Sequence, residues 1–433
     1  MSETTPPPST KRTETMGTMA TMVGSDPENA SSGDHHDLAD NLEDYFVGPR
    51  NLAHHSKWPM FLQLHGSVTP RMILPIAFTG AWATAISCIS RFVYNLGIDS
   101  VLLTVLGFVV GLSLSFRNST AYERYAEGRK YWAQLSLTTQ NLARLVWVHV
   151  AEREDSAVDD LLAKVTFCNM LVTFAYALKH KLRFEPFTHY DDLAPRLKHL
   201  NVLAAKAEPR DLSNPSTLRR AARALGFPMA ESNPRKLIKK STKPLGNVPL
   251  EILTYCSEYF KSVIDNDTFK APIYQTQALN MLTMMNDILT GTDRILNTPL
   301  PIAYSIAISQ ITWVYIIVLP FQLWDRLHWV TIPATMFAAY IILGLALIGR
   351  EIENPFGDDV NDLPLEDFCD QIRREIDVIL ASGAPGAEDF IRKDDNLLLH
   401  PLSNHGYHSL RQKTPEQVRH YLKTKMEKGV RNL

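Results

Sequence analysis

The sequence of 433 residues lacks the features that mark most enzymes and nucleic-acid-binding proteins. It has only four cysteines, and their wide spacing excludes a disulfide framework and a cysteine-type zinc site. The 44 lysines and arginines are balanced by 46 aspartates and glutamates, so no basic excess points to a nucleic-acid partner. Glycine-rich phosphate loops, zinc-protease motifs and nucleophile elbows are absent, which argues against an enzyme.

The N-terminal segment lacks large apolar side chains. Residues 1–45 contain a proline run and many serine, threonine and acidic residues, a composition that buries too little surface to offset ordering entropy, and we expect a disordered tail. Residues 46–69 follow as an interfacial segment. No targeting peptide or lipidation motif is visible, so any membrane attachment must come from the chain's own helices.

Four long apolar runs are present, and they form two close pairs. At the helical rise they span roughly 24 to 33 Å, which matches a hydrocarbon core of about 30 Å. One such run also fits a buried core helix, but four in two pairs favour a multi-pass membrane protein. The predicted membrane helices are residues 70–92, 99–116, 299–320 and 329–349.

Positive charges indicate the orientation of these helices. The two short linkers have only Arg91 and Arg326 in or beside them. Because cytoplasmic loops are enriched in lysine and arginine, both termini and the long middle segment are expected in the cytoplasm. The residues on that side, directly after the second and fourth runs, are Arg117, Arg124, Arg129, Lys130 and Arg350.

The rest of the chain is helical in pattern. Residues 117–298 show helical apolar spacing, with a loose polar insertion at 204–243, and residues 350–433 form a C-terminal cytosolic region. The apolar stretch Leu161 to Leu178 contains Lys164 and Asn169, and it fits a buried cytosolic helix better than a membrane span. No strand alternation of useful length appears, so the predicted fold is all-α.

The second apolar run carries two adjacent stripes with four-residue spacing. The first stripe consists of small residues that permit close helix packing: Gly107, Gly111 and Ser115. The second is bulky and apolar: Phe108, Leu112 and Phe116. Around a shared axis, the second stripe would form a hydrophobic constriction, and the electropositive edges of phenylalanine rings favour an anion. Alternatively, these three side chains face lipid or neighbouring helices.

Three segments resemble motifs of the bestrophins, especially the bacterial and fungal branch. Phe116 to Trp132 reads FRNSTAYERYAEGRKYW and resembles the family's segment after its second membrane helix. Asn354 to Leu365 (NPFGDDVNDLPL) is similar to the motif after the last membrane helix, and Asn297 to Pro301 (NTPLP) is similar to the turn before the third. The motifs stand in the family order, and the resemblance covers about residues 58–380.

The resemblance implies a homopentameric ion channel with four membrane helices per chain and a large cytosolic helical body. In this family the second membrane helix lines the pore, and its hydrophobic neck corresponds here to Phe108, Leu112 and Phe116. Leu112 departs from the aromatic residue or isoleucine common at its position. A second constriction of the family lies near the start of a helix that follows a proline, which points to Leu250 after Pro249.

Two groups of charged residues beside the motifs are further candidates. Arg117 and Arg124 follow the neck and are candidates for attracting anions, or they pair with Glu123 and Glu127 in a structural network. The acidic loop resembles the calcium-binding run of animal bestrophins, whose ligands correspond to Asp359 and Asp362, although Val360 and Asn361 interrupt it. Alternatively, Asp362 caps the helix that begins near Pro364.

The expected function is therefore passive passage of chloride or other small monovalent anions through a pentamer in the lipid bilayer. A cation channel of the same fold and a non-conducting membrane scaffold remain the alternatives. We expect no cofactor apart from the calcium ion considered above. The protein is expected to be integral to a membrane, with the plasma membrane favoured.

Overall fold

The computed structural model describes residues 66–98, 101–207, 243–383 and 386–431. Every regular element within these ranges is a helix, which confirms the predicted all-α fold. The predicted tail at 1–45, most of segment 46–69 and most of insertion 204–243 lie outside the described residues. The α-helices are α1 Thr69–Phe92, α2 Val101–His149, α3 Ala157–Leu182, α4 Ala194–Leu197, α5 Leu203–Ala207, α6 Val248–Asp265, α7 Pro272–Asn297, α8 Ile302–Leu327, α9 Thr331–Glu351, α10 Leu365–Ala381, α11 Ala387–Ile391, α12 Tyr407–Arg411 and α13 Pro415–Arg431.

Proline marks the start of most long helices. Its fixed φ suits the first helical turn, and its missing N–H is one of the donors that a helix start leaves unpaired anyway. The prolines at or immediately before helix starts are Pro70 of α1, Pro249 of α6, Pro272 of α7, Pro301 of α8, Pro364 of α10 and Pro415 of α13.

Helix α2 connects two differently built regions of the chain. It has 49 residues and is therefore roughly 74 Å long. Its first third packs with α8 and α9, both of which also pack with α1, and this apolar group of helices is called the bundle below. The remainder packs with α3, α7 and α10, and α6 packs with α3 and α7; these helices together form the body.

The body contains the main hydrophobic core. Helix α3 lies at its centre, and almost every side chain from Phe167 to Leu182 is buried. An apolar helix of this length could cross a membrane, but two thirds of its apolar window (67%) is buried inside the protein. A helix that is apolar on all sides and covered on all sides belongs to a core. The largest fully buried side chains of this core are Trp132, Phe167, Phe174, Phe260, Phe269 and Phe356.

The bundle is held by smaller contacts. Met72 packs with Ile316, Ala339 and Leu343, which joins α1 to α8 and α9. A second cluster joins the start of α2 to α8 through Val110, Leu114 and Ile308. Two helical stretches here, Thr69–Phe92 and Ile302–Glu351, are long and apolar enough to cross a membrane. The second stretch contains both α8 and α9.

Two helices extend well beyond the predicted membrane runs. Helix α2 continues past residue 116 to His149, and α8 continues through Pro320, where the run 299–320 ends, to Leu327. Proline is tolerated inside apolar helices where neighbouring groups bind the freed backbone. Pro320 removes the N–H that would donate to the Ile316 carbonyl, and the Trp82 indole N–H donates to the neighbouring Ile317 carbonyl at 2.9 Å, which joins α1 to α8 one turn before this buried proline.

Candidate functional site

The three predicted neck residues form an exposed ridge on α2. Phe108, Leu112 and Phe116 are 72%, 45% and 59% exposed, respectively. Val110 and Leu114, on the opposite face of the same helix, are buried against α8. The helices that the structure describes therefore leave a row of large apolar side chains without cover.

The adjacent small-residue stripe is used by the chain only in part. A Cβ atom added at Gly107 would lie 3.3 Å from the Tyr315 ring, so a larger residue here would force this ring of α8 to shift. A Cβ atom at Gly111 would meet no described atom within 4 Å, and Ser115 is exposed. These two positions leave room for the close approach of another helix.

The ridge becomes polar beyond Phe116. Each four-residue step overshoots a helical turn by about 40°, so the continuation of the ridge shifts to three-residue steps. The next positions on this face are Ser119 and Glu123, both exposed. Arg124, four such steps after Phe108, has rotated about 160° away. Arg124 therefore does not lie on the ridge, although it follows Phe116 by two steps of four residues.

The two arginines after the neck point into the protein. Arg117 is only 4% exposed and forms an ion pair with Glu353 at 3.5 Å. Arg124 donates from Nε to the Glu353 carbonyl at 3.0 Å, from Nη2 to the Ile295 carbonyl at 2.5 Å, and from Nη1 to the Thr298 carbonyl. Burial lowers the pKa of Arg124, while the carboxylates of Glu353 and Glu127 oppose this shift.

This arrangement favours the structural network over an exposed ring of cations. The predicted partners differ, because Glu127 pairs with Arg294 rather than with Arg124. The residue that holds both arginines is Glu353, which sequence reasoning missed. The only indication of Glu353 in the sequence was its position directly before the family motif that starts at Asn354. A direct role of Arg117 and Arg124 in attracting anions stays a prediction.

Leu250, the predicted inner constriction, lies in the first turn of α6. Its side chain is 46% exposed, whereas the preceding Pro249 is buried. The following Glu251 accepts a hydrogen bond from the Leu203 backbone N–H at 2.8 Å, which fixes the start of α6 to α5. Leu250 thus projects from a well-anchored helix start.

The acidic loop after α9 joins several elements through separate contacts. Asp359 forms an ion pair with Arg71 of α1 at 3.2 Å, and Asp358 pairs with Arg183 after α3 at 3.0 Å. Asn361 donates to the Gly66 carbonyl and to Glu351, both at 2.9 Å. Among the described residues, no group of three or more potential metal-binding side chains converges. Calcium binding by Asp359 and Asp362 stays a prediction.

Asp362 has a different local role from the predicted helix cap. Helix α10 begins at Leu365 without a side-chain cap, whereas Asp362 accepts a hydrogen bond from the Asp359 backbone N–H at 2.8 Å. The carboxylate thus stabilises a turn inside the loop. Burial raises the pKa of Asp362 to about 6, and the nearby carboxylates of Asp359 and Glu351 contribute to this shift.

Comparisons with known proteins agree on one family. The family model for Bacterial/Fungal Bestrophin protein matches residues 48–378. A voltage-dependent anion channel-forming protein of Synechocystis sp. is 33% identical over 322 residues, covering 74% of this chain and 91% of that protein. A relative of the same description from Nostoc sp. is 34% identical over 271 residues, covering 62% of this chain and 74% of that protein. A crystal structure of a Klebsiella pneumoniae bestrophin homologue, 23% identical, has a TM-score of 0.54 and covers 72% of this chain and 98% of that chain, which shows a shared fold.

Proposed function

Because this chain belongs to the bacterial and fungal bestrophins, a family of integral membrane proteins, we propose that it forms a homopentameric channel. The channel passes monovalent anions such as chloride by passive diffusion. Membership confirms the resemblance found in the sequence, and the curated relatives are described as anion channel-forming proteins. In this proposal α1, the start of α2, α8 and α9 cross the plasma membrane. Both termini lie in the cytoplasm.

The observation that carries the proposal is the exposed ridge of α2. Phe108, Leu112 and Phe116 are exposed among the described residues of one chain, and Gly111 and Ser115 beside them leave space for a neighbouring helix. Five copies packed through the small stripe would turn the three large side chains toward a common axis. There they form the neck, and the positive ring edges of Phe108 and Phe116 favour anions. Leu250 forms a second constriction further inside.

One observation favours the cation channel as the second candidate. The first charged position on the ridge after the neck is Glu123, which is exposed, whereas Arg117 is buried in its pair with Glu353. A ring of five carboxylates beneath the neck would raise the local concentration of cations. Whether anions or cations carry the current therefore depends on which feature dominates selectivity, the neck or the ring of Glu123 carboxylates.

Reversal potentials in planar bilayers under a KCl gradient separate the candidates. We expect the wild-type reversal potential near the chloride equilibrium value, and we expect Phe116→Ala to increase conductance by widening the neck. Phe337→Ala is the matched control, because this phenylalanine of α9 is similarly exposed at 67% but lies on another helix. A reversal potential at the potassium value would establish the cation channel, and absence of current would leave a membrane scaffold. Equal conductance of wild type and Phe116→Ala would reject the neck.

A further inference from the structure

A half-open cleft lies between the end of α3, the start of α6 and the end of α7. Its volume is about 210 Å³. The cleft is separate from the α2 ridge, but its wall includes Pro249, which directly precedes Leu250. Most of its lining is apolar and includes Phe184, Pro186, Phe187, Leu245, Val248 and Leu296. We call this the Phe184 cleft.

Phe184 occupies an unusual backbone position for a large side chain. It follows the end of α3 with a φ of 57°, in the left-handed region that glycine adopts without steric cost. Its N–H donates to the Lys181 carbonyl at 3.1 Å, and the Glu185 N–H donates to the His180 carbonyl at 2.9 Å, a glycine-type helix end. The Phe184 side chain is nevertheless 40% exposed along the cleft.

The charged groups around the cleft are already paired. His180 contacts Glu185 at 2.5 Å and Asp192 at 2.8 Å, and Lys181 pairs with Asp293 at 3.3 Å. Burial disfavours the charged imidazole, but the hydrogen bonds to Asp192 and Glu185 outweigh burial and raise the pKa of His180. A charged ligand would have to compete with these internal pairs, whereas an uncharged ligand would leave them intact.

We propose that the Phe184 cleft is a binding site for an uncharged aromatic molecule of one or two rings. A cavity of about 150 Å³ in another protein holds one benzene ring, so this larger cleft has room for an indole-sized molecule. Phe184 and Phe187 supply aromatic partners, and the prolines and aliphatic side chains cover the remaining faces.

Occupation of the cleft has a consequence for the channel, and this part rests on the proposed function. Val248 and Pro249 form both the cleft wall and the first turn of α6. A ligand packed against them holds the backbone that carries Leu250. We therefore expect the ligand to change conduction through the inner constriction.

Binding is tested on the full-length protein in detergent micelles by saturation-transfer NMR with indole. Indole is expected to bind the wild type, and Phe184→Ala is expected to weaken binding roughly three- to tenfold, the loss of one aromatic contact. Phe184→Gly relieves the backbone strain and removes the same ring, so it must weaken binding equally while remaining folded. Phe390→Ala is the matched control, because this exposed phenylalanine lies in the distant segment α11 and does not line the cleft.

Two further arms sharpen the result. Indole-3-acetate, the charged analogue, is expected to bind more weakly than indole. In planar bilayers, indole is expected to change the current of the wild type but not of Phe184→Gly. Absence of indole binding to the wild type, unchanged binding in both Phe184 variants, or tighter binding of indole-3-acetate would overturn the site. Because binding is measured without current, a protein that proves non-conducting still gives a clear answer on the cleft.

Discussion

The bundle and the body are both rich in apolar residues, but they place them in opposite ways. In the body, the window around α3 is 67% buried, whereas in the bundle the window within α8 and α9 is only 22% buried. The bundle exposes large side chains such as Leu74, Ile302 and Phe337. Its buried positions instead include small hydroxyl residues, namely Thr79, Ser87, Ser90, Thr312, Thr331 and Thr335.

This contrast shows which solvent each region is built for. Water drives large apolar side chains inward, as in the body. In lipid that drive is absent between helices, so small and hydroxyl residues form the contacts and large apolar residues face outward. Hydropathy alone does not separate α3 from α8, because both are long apolar helices. The burial of the helix within the chain does separate them.

The largest expected loss of stability comes from a cavity in the core of the body. Phe167 is fully buried, so Phe167→Ala should lower the free energy of unfolding by roughly 3–5 kcal/mol through a cavity at the centre of α3. Phe337→Ala removes an exposed ring of the bundle and should change it by less than about 0.5 kcal/mol. Unfolding in the same detergent measures both variants. Similar losses in the two would contradict the division into body and bundle.

The junction between the two regions is expected to be next in sensitivity. Arg124→Met removes three hydrogen bonds to backbone carbonyls, which tie α2 to Ile295 in the last turn of α7, to Thr298 after it and to Glu353 after α9. We expect a loss of roughly 2–3 kcal/mol of unfolding free energy. The exposed Arg326 provides the control, Arg326→Met, with little change. Normal stability of Arg124→Met together with reduced chloride conductance would contradict this structural role and support a role of Arg124 in attracting anions.

The acidic loop should make the stability of the protein depend on pH. The folded pKa of Asp362 is raised to about 6, so the folded state binds this proton more tightly than the unfolded chain. The resulting stability is present at low pH and is lost as pH rises through about 6. Asp362→Asn should therefore stabilise the protein at pH 8 by on the order of 1–2 kcal/mol relative to wild type, with little difference near pH 4. Unfolding midpoints across this range measure the effect, and parallel curves would reject it.

The smallest expected effect concerns the polar end of the ridge. Glu123→Gln removes an exposed carboxylate beneath the neck without changing its size. In an anion-passing pentamer, chloride conductance should rise on the order of twofold at low salt, and the difference should shrink at high salt. Glu388→Gln, on the exposed helix α11, is the control. A fall in conductance would favour the cation channel, and an effect independent of salt would place Glu123 away from the ion path.

The sequence predicted the fold class and the family because these depend on apolar periodicity and on motifs local to one segment, and it predicted the core nature of α3 from Lys164 and Asn169 within its apolar run. It also predicted the ridge, since residues 108, 112 and 116 share a face of one helix. It did not identify Glu353 as the partner of Arg117 and Arg124, because that contact joins positions more than 200 residues apart. It also did not indicate that Asp362 accepts a hydrogen bond from the Asp359 backbone N–H, because that contact depends on the turn of the loop.

The orientation of the ridge in the assembled particle tests the central claim most directly. Electron cryomicroscopy of the full-length protein in lipid nanodiscs should show five subunits around one axis. Phe108, Leu112 and Phe116 of every subunit should face that axis and enclose the narrowest part of the pore. A monomeric particle, or an assembly in which these three side chains contact lipid, would contradict the account.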